Sequence, residues 1–506
     1  MTSDTFKYAA YAFSAAASAS ASDANTGVAL ALGEEPGCES TGTHPASASM
    51  RVAVTRSEPV RILTTVGHAG DQRHPQSTEG MRAPPAIWGG RSPWRANRMP
   101  NPGTVTGMTV SGAWVRAARG AMLLADDGDL RPTIFAEMSA LAASTGAINL
   151  GQGYPDEDGP QQVRDAAKLA IDSGANQYPP GRGIPELREA IARHQHRFYG
   201  LDIDADREVL VTAGATEAIA ATLLALLEPG DEVVTFEPFY DSYGAMIALA
   251  GGVHVTVPLR APDFTPDLDE LRDAVSSRTR IILINSPHNP TGMVLDRPAL
   301  ELIVELAHQH DALIVADEVY EHLTFDGVGH IPISSLPGAR ERTVTISSGA
   351  KTFSLTGWKI GWLIAPAELV DAILTVKQFL TYVNGAPFQP AIALGLSFPD
   401  SYFADAASTL AAKRDLLGAG LRRAGFEVSR PSGSYFIVAD AAAVGFNNAV
   451  EFCRRLPELA GVVGIPLTAF VLPERHAAYR SLVRFAFCKR TEVLERAAAQ
   501  LADLRR

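Results

Sequence analysis

From Asp206 onward, short apolar and β-branched runs alternate with stretches of helical periodicity. EVLVTAG (208–214) is followed by a helical pattern through TEAIAATLLALLEPG (216–230). Further runs are DEVVTFEP (231–238), GGVHVTVPL (251–259), RIILINSP (280–287), ALIVADEVY (312–320), RTVTISSGAK (342–351) and GWKIGWLIAP (357–366). Strands that are apolar along their whole length are buried on both faces, so the pattern predicts an α/β fold with a mostly parallel sheet between helices. In such sheets ligands gather at the carboxyl ends of the strands. After about Ser397 the texture changes to a long helical stretch, AASTLAAKRDLLGAGLRRAGF (406–426), then short runs such as SYFIVAD (434–440) and LVRFAF (482–487). That predicts a second, smaller α+β domain.

The first hundred residues differ in kind. AAYAFSAAASASAS (9–22) is Ala/Ser-rich, and the chain to about Pro102 is thick with Arg, Pro, Gly, His and Ser. A segment of this composition buries too little apolar area to offset its chain entropy. Residues 1–107 are therefore expected to be a disordered or low-complexity extension, with Met108 as the start of the working protein. A transit peptide is the alternative, but acidic residues are scattered through the segment and no charged-then-apolar pattern is visible.

Composition narrows the function classes. Of 506 residues, 46% are hydrophobic and 20% charged, as in a soluble globular protein. The net charge of −12 argues against a nucleic-acid partner. Three distant cysteines, Cys38, Cys453 and Cys488, form no disulfide framework and no cysteine-built metal site, which suits a reducing cytoplasm. No run approaches the roughly 20 apolar residues of a membrane span.

The unusual residues fall at strand ends. Asp317 closes LIVAD, where a carboxylate needs a cation or donors unless it caps a helix. SPHNPTG (286–292) would hold Asn289 in a tight loop, although such loops are often only turns. AGATEAI (213–219) sets small residues at a helix start, where free amides and the dipole attract anions. EPFYDSY (237–243) offers adjacent aromatics, a composition more often found in cores. In SSGAKTFSLTGWKIGW (347–362), Lys351 ends an apolar run and Lys359 follows eight positions later; taken alone, Lys351 reads as a surface lysine.

Each feature is weak alone, but their order is specific. From about Arg131 to the end, the chain closely resembles the class I and II aminotransferases, fold type I enzymes that use pyridoxal 5'-phosphate. The resemblance implies a seven-stranded, mostly parallel sheet in a large cofactor-binding domain (160–395) and a small domain from 120–159 and 396–506. It implies that Lys351 is the Schiff-base lysine and the base that moves the substrate proton. Asp317 would pair with the pyridine nitrogen, while Tyr320 and Asn289 would donate to the phenolic oxygen. Tyr240, rather than Phe239, would stack on the ring. Ala215, Thr216, Ser348 and Lys359 would hold the phosphate; many relatives carry arginine at the last position. Arg484 and Gly153 would receive the substrate α-carboxylate beside Asn289. Tyr178 resembles the tyrosine that reaches the phosphate of a neighbouring subunit, implying a homodimer with shared sites. No metal ligand set is expected, and His288 reads as a loop residue.

FAEMSALA (135–142), NLGQGYPDEDGP (149–160), NQYPPGRG (176–183), GAPFQPAIALGL (385–396) and RFAFCKR (484–490) resemble one subgroup. It contains kynurenine/glutamine and methionine aminotransferases and N-succinyldiaminopimelate aminotransferases of lysine biosynthesis. The last are favoured, with 2-oxoglutarate as acceptor. That substrate's extra carboxylates need a further cation, for which Arg182 and Lys377 are candidates; a kynurenine-type pocket would instead use Tyr154, Phe353 and Phe388. A cysteine-conjugate β-lyase uses the same lysine and cofactor and is a possible companion activity. A non-catalytic effector domain of a transcription regulator is disfavoured, since residues 1–107 show no pair of amphipathic helices.

Overall fold

The computed structural model describes residues 111–125 and 128–504. The expected extension, 1–107, lies outside the described residues, as do the proposed start and transit peptide.

Seven strands form the main sheet: β1 (Val209–Ala213), β2 (Glu232–Glu237), β3 (Val253–Pro258), β4 (Thr279–Asn285), β5 (Leu313–Asp317), β6 (Thr343–Ser348) and β7 (Ile360–Ile364). Their spatial order is β1-β7-β6-β5-β4-β2-β3. Pairings among β3, β2, β4, β5 and β6 are parallel, as the uniformly apolar runs predict. β7 runs antiparallel to both its neighbours, β1 and β6. Its register, Ser348↔Gly361 and Ala213↔Ile360, brings the end of β1, the end of β6 and the start of β7 to one edge. Both lysines of the 347–362 stretch therefore stand at the same end of the sheet as Asp317.

The helix Gly214–Leu226 leaves β1 without a loop, and Glu217 Oε2 accepts from the Ala213 amide at 2.5 Å. This entry needs its glycines. Gly214 has a φ of +75°, in the left-handed region, and a Cβ on Gly361 would stand 2.5 Å from the Gly214 carbonyl carbon.

A second sheet is antiparallel: β8 (Glu427–Val428), β9 (Phe436–Asp440), β10 (Ile465–Pro466) and β11 (Leu482–Ala486), in the order β10-β11-β9-β8. The helix Asp400–Arg423 packs on the helix Thr491–Ala502, where a Cβ on Gly420 would reach within 2.5 Å of Ala498 Cβ. One apolar cluster runs from Val234, Ile282 and Ile314 of the main sheet to Ile437, Val483 and Phe485 of the second. Fully buried aliphatic and aromatic side chains such as these each contribute about 1.5–3 kcal/mol. The two sheets thus share one core, and residues at their junction are held from both sides.

Candidate active site

At the carboxyl ends of β4, β5 and β6 lies a cavity of about 170 Å³. Ala215, Thr216, Tyr240, Asn289, Asp317, Tyr320, Ser348, Lys351 and Lys359 all line it, together with Gly214 and Asn285. Lys351 sits in a single helical turn, Gly349–Thr352, that begins where β6 ends. Its Nζ donates to Tyr435 Oη at 3.0 Å and lies 5.6 Å from the centroids of both the Tyr320 and Tyr435 rings. Burial pulls the Lys351 ammonium below its usual range, against the opposing fields of Cys488 and Asp317. An amine so placed is closer to its neutral, nucleophilic form than a surface lysine is.

Asp317 is buried at the tip of β5 and caps no helix. Tyr243 Oη donates to its Oδ2 at 2.7 Å, and the Val319 amide reaches Oδ1 only at 3.5 Å. Burial raises its carboxyl to about 6, although the Tyr243 bond and the Lys351 charge both pull it down. Asn285 fixes the loop above it: its Nδ2 donates to the Asp317 carbonyl at 2.7 Å, and its Oδ1 accepts from the Asn289 amide at 2.7 Å. Tyr320 is buried against Tyr435, with ring centroids 5.0 Å apart in an edge-on arrangement, and burial raises its phenol. Phe239 is 1% exposed and packs on His254, whereas Tyr240 faces the cavity, edge-on to Tyr243.

The far end of the cavity is polar. Lys359 has a left-handed backbone, φ 54°, and its Nζ donates to Thr216 Oγ1 at 3.3 Å. A Cβ on Gly214 would lie 3.2 Å from Lys359 Cε, so the absent side chain is what admits the lysine to the helix start. Helix-start amides, a hydroxyl and an ammonium converge here as a dianion would require.

Arg484, on β11, is 2% exposed and points to the same junction. Its Nη1 donates to Asn289 Oδ1 at 3.0 Å and its Nη2 to the Gly151 carbonyl at 2.6 Å. The guanidinium lies 4.2 Å from the Phe436 ring centroid and 4.6 Å from that of Phe470, while Nε is buried without a partner. Burial lowers it to about 10. Gly153 is pressed on Phe436: a Cβ would fall 2.4 Å from that ring. Its carbonyl accepts from Tyr435 Oη at 2.7 Å.

Other candidates lie elsewhere. Tyr178 is 81% exposed, edge-on to Tyr382, and does not line this cavity. Arg182 pairs with Asp371, and Lys377 donates to the Gly181 and Tyr382 carbonyls, so neither places a cation at the cavity. Phe353 is buried in an apolar cluster with Phe398 and Phe403, and Phe388 stacks on Trp358 at 4.6 Å. Tyr154 is half exposed beneath the Lys489 ammonium, 4.2 Å from its ring centroid. His288 is a buried loop residue whose Nδ1 lies 2.8 Å from Thr291 Oγ1.

Tyr243, Tyr435 and Asn285 escaped the sequence reading. The two tyrosines sit in apolar runs, where an aromatic reads as core, and only the fold shows their hydroxyls aimed at Asp317 and Lys351. A buried cluster also emerged behind the site. His194, Glu321 and His322 offer ligand atoms within 4.8 Å of one another. The two Nε2 atoms are 2.7 Å apart, with His194 Nδ1 near the Leu396 carbonyl. That separation is a hydrogen bond; two imidazoles on one tetrahedral zinc stand about 3.3 Å apart.

The chain matches the family model "Aminotransferase class I and II" over residues 145–501. It is 52% identical to the "Probable N-succinyldiaminopimelate aminotransferase DapC" of Mycobacterium tuberculosis, across 74% of this chain and 97% of that one. It is 40% identical to the methionine aminotransferase of Escherichia coli, across 74% and 96% respectively. Among solved structures, the N-succinyldiaminopimelate aminotransferase of Mycobacterium tuberculosis superimposes with a TM-score of 0.73 at 50% identity, covering 78% of this chain and 99% of that one.

Proposed function

The chain belongs to the class I and II aminotransferases, enzymes that depend on pyridoxal phosphate, and from that premise we propose that it moves the amino group of N-succinyl-LL-2,6-diaminopimelate to 2-oxoglutarate. The observation that carries the substrate is the 52% identity along 97% of the DapC relative. The burial of Phe353 in an apolar cluster supports it, because it removes one aromatic from a kynurenine-type pocket. Methionine is the second reading, favoured by the Escherichia coli relative. We propose further that the enzyme works in the cytoplasm, in lysine biosynthesis, as a homodimer. The exposed Tyr178, beside exposed Phe379 and Tyr382, supports a second copy on that face. We propose, as part of the same reading, a large domain (160–395) and a small one (120–159 and 396–506).

The residues present fit the cofactor. A buried carboxylate with no cation among the described residues bonded to it, Asp317, faces the cavity at one end; helix-start amides, Thr216 and Lys359 stand at the other. Asp317 would hold the pyridine nitrogen, Tyr320 and Asn289 the phenolic oxygen, and Ala215, Thr216, Ser348 and Lys359 the phosphate, with Tyr240 against the ring and the partner's tyrosine at position 178 closing the phosphate end. The bound cofactor supplies an electron sink that makes the substrate's Cα–H acidic.

The protein's own part is then to orient and to move one proton. Arg484 offers a planar fork to the substrate α-carboxylate, already aligned by Asn289 and backed by two aromatic faces. Gly153 would let the backbone approach the same carboxylate. Lys351 Nζ, its ammonium destabilised by burial, takes the proton from Cα.

The test is an absorption spectrum of the yellow holoenzyme with glutamate, N-succinyldiaminopimelate, methionine and kynurenine added separately. Bleaching by glutamate and the succinylated substrate is expected. Bleaching by methionine or kynurenine but not by the succinylated substrate rejects the substrate assignment.

A further inference from the structure

Lys351 is not held by its ring-binding neighbours. Among the described residues, its Nζ has one hydrogen-bond partner, Tyr435 Oη, at 3.0 Å. That oxygen also stands 2.7 Å from the Gly153 carbonyl oxygen. A phenol carries one hydrogen, and a carbonyl can only accept. The hydrogen of Tyr435 therefore belongs to Gly153, and its lone pair faces Lys351.

From this geometry we infer that Tyr435 is a positioning residue: it docks the free amine of Lys351 and ties it to the backbone of the loop 149–153. The inference rests on the reading of Lys351 as the reactive amine. The lysine must be released whenever the substrate takes its place, and a free ammonium in a buried site needs a fixed acceptor. Tyr435 supplies one that is rigid. It is 1% exposed, wedged edge-on to Tyr320 at 5.0 Å and against Phe436 at 4.8 Å, so its oxygen cannot swing away. The same loop is held at Gly151 by Arg484. The amine and the residue proposed to grip the carboxylate thus share one short segment of backbone.

An acceptor favours the charged form of its donor, so Tyr435 offsets part of the burial that lowers the Lys351 ammonium. Asp317 and Cys488 act on Lys351 in the same direction, while Lys359 and Arg484 oppose them, and the Tyr320 ring lies alongside. Tyr435→Phe removes one oxygen and keeps the ring: it leaves Asp317, Cys488, Lys359 and Arg484 in place and takes from the Tyr320 hydroxyl its hydrogen bond to Tyr435.

The experiment is competitive acetylation of the full-length, cofactor-free protein across pH, with modification at Lys351 read by peptide mass spectrometry. In Tyr435→Phe the profile should move to lower pH, making Lys351 roughly tenfold more reactive at neutral pH. A profile that superimposes on the wild type's overturns the inference. Should the phenylalanine variant not fold, 3-fluorotyrosine at the same position weakens the acceptor and should shift the profile the same way, by less; no shift there overturns it equally. Borohydride reduction of the loaded wild type separates the two readings. A pyridoxyl tag on a residue other than Lys351 rejects the functional assignment, whereas a tag on Lys351 with unshifted profiles rejects only the role of Tyr435.

Discussion

The hydroxyl of Tyr243 donates to Asp317 Oδ2 at 2.7 Å, and both groups are buried. Tyr243 comes from the first turn of the helix Ser242–Ala250 and Asp317 from the tip of β5, so the bond joins two elements packed on the same sheet. A buried carboxylate with one firm donor has a fixed direction, which is what a partner for a ring nitrogen must have.

Replacing Tyr243 by phenylalanine should leave the fold intact and free Asp317 to rotate and to take up a proton. Affinity for pyridoxal phosphate should fall by roughly tenfold, the effect of one hydrogen bond to a charged group. Fluorescence titration of the cofactor-free protein measures this, and unchanged affinity would show that the bond is only packing.

Lys351→Ala should lower transamination by on the order of 10⁴-fold or more, since it removes both nucleophile and base. The variant should still bind the cofactor through the groups around it. Stopped-flow spectra with saturating amino donor give the rate, and a variant with wild-type turnover would mean that another amine does the chemistry.

Asp317 also makes a pH prediction. Its folded carboxyl is raised from 3.8 to about 6, so the folded cofactor-free protein binds that proton more tightly than the unfolded chain does. The sign follows: this group disfavours folding progressively as pH rises from about 4 to about 6. Asp317→Asn cannot titrate. Relative to wild type, the cofactor-free variant should therefore gain stability across that window, by up to about 3 kcal/mol. Urea denaturation at pH 4.5 and pH 7 tests it; a constant difference between the two proteins would contradict the assignment.

Arg484→Lys keeps the charge but loses the fork. The variant should bind amino acids weakly, with kcat/KM down roughly 100-fold and cofactor affinity unchanged. Saturation of the half-reaction by substrate concentration separates the two effects. Loss of cofactor binding instead would assign Arg484 to the architecture of the cavity.

Much of this was legible in the chain because strand ends advertise themselves. Asp317 after LIVA and Asn289 between two prolines are out of keeping with their neighbours, and burial of such groups has to be repaid by contacts. The direction of β7 was not legible, since a fully buried strand reads the same whichever way it runs. Tyr243 and Tyr435 were hidden for a related reason: a tyrosine in an apolar run shows its ring to the pattern and not its hydroxyl. The companions suggested for the tail of the substrate, Arg182 and Lys377, do not line the cavity, for the opposite reason. A cation is conspicuous in sequence, but its partner Asp371, or the carbonyls of Gly181 and Tyr382, are not.

The bond between Arg484 and Gly151 spans 333 residues of chain. Its consequence is one of timing. During synthesis the strands that carry Asp317 and Lys351 leave the ribosome well before β11 does, so a growing chain can assemble the floor of the pocket early. It cannot assemble the grip on the amino acid until almost the whole polypeptide has been made. A prematurely terminated product that lacked β11 would have no arginine at that junction and would lose Val483 and Phe485 from the core that the two sheets share, so the grip on the amino acid and the last of that core arrive together.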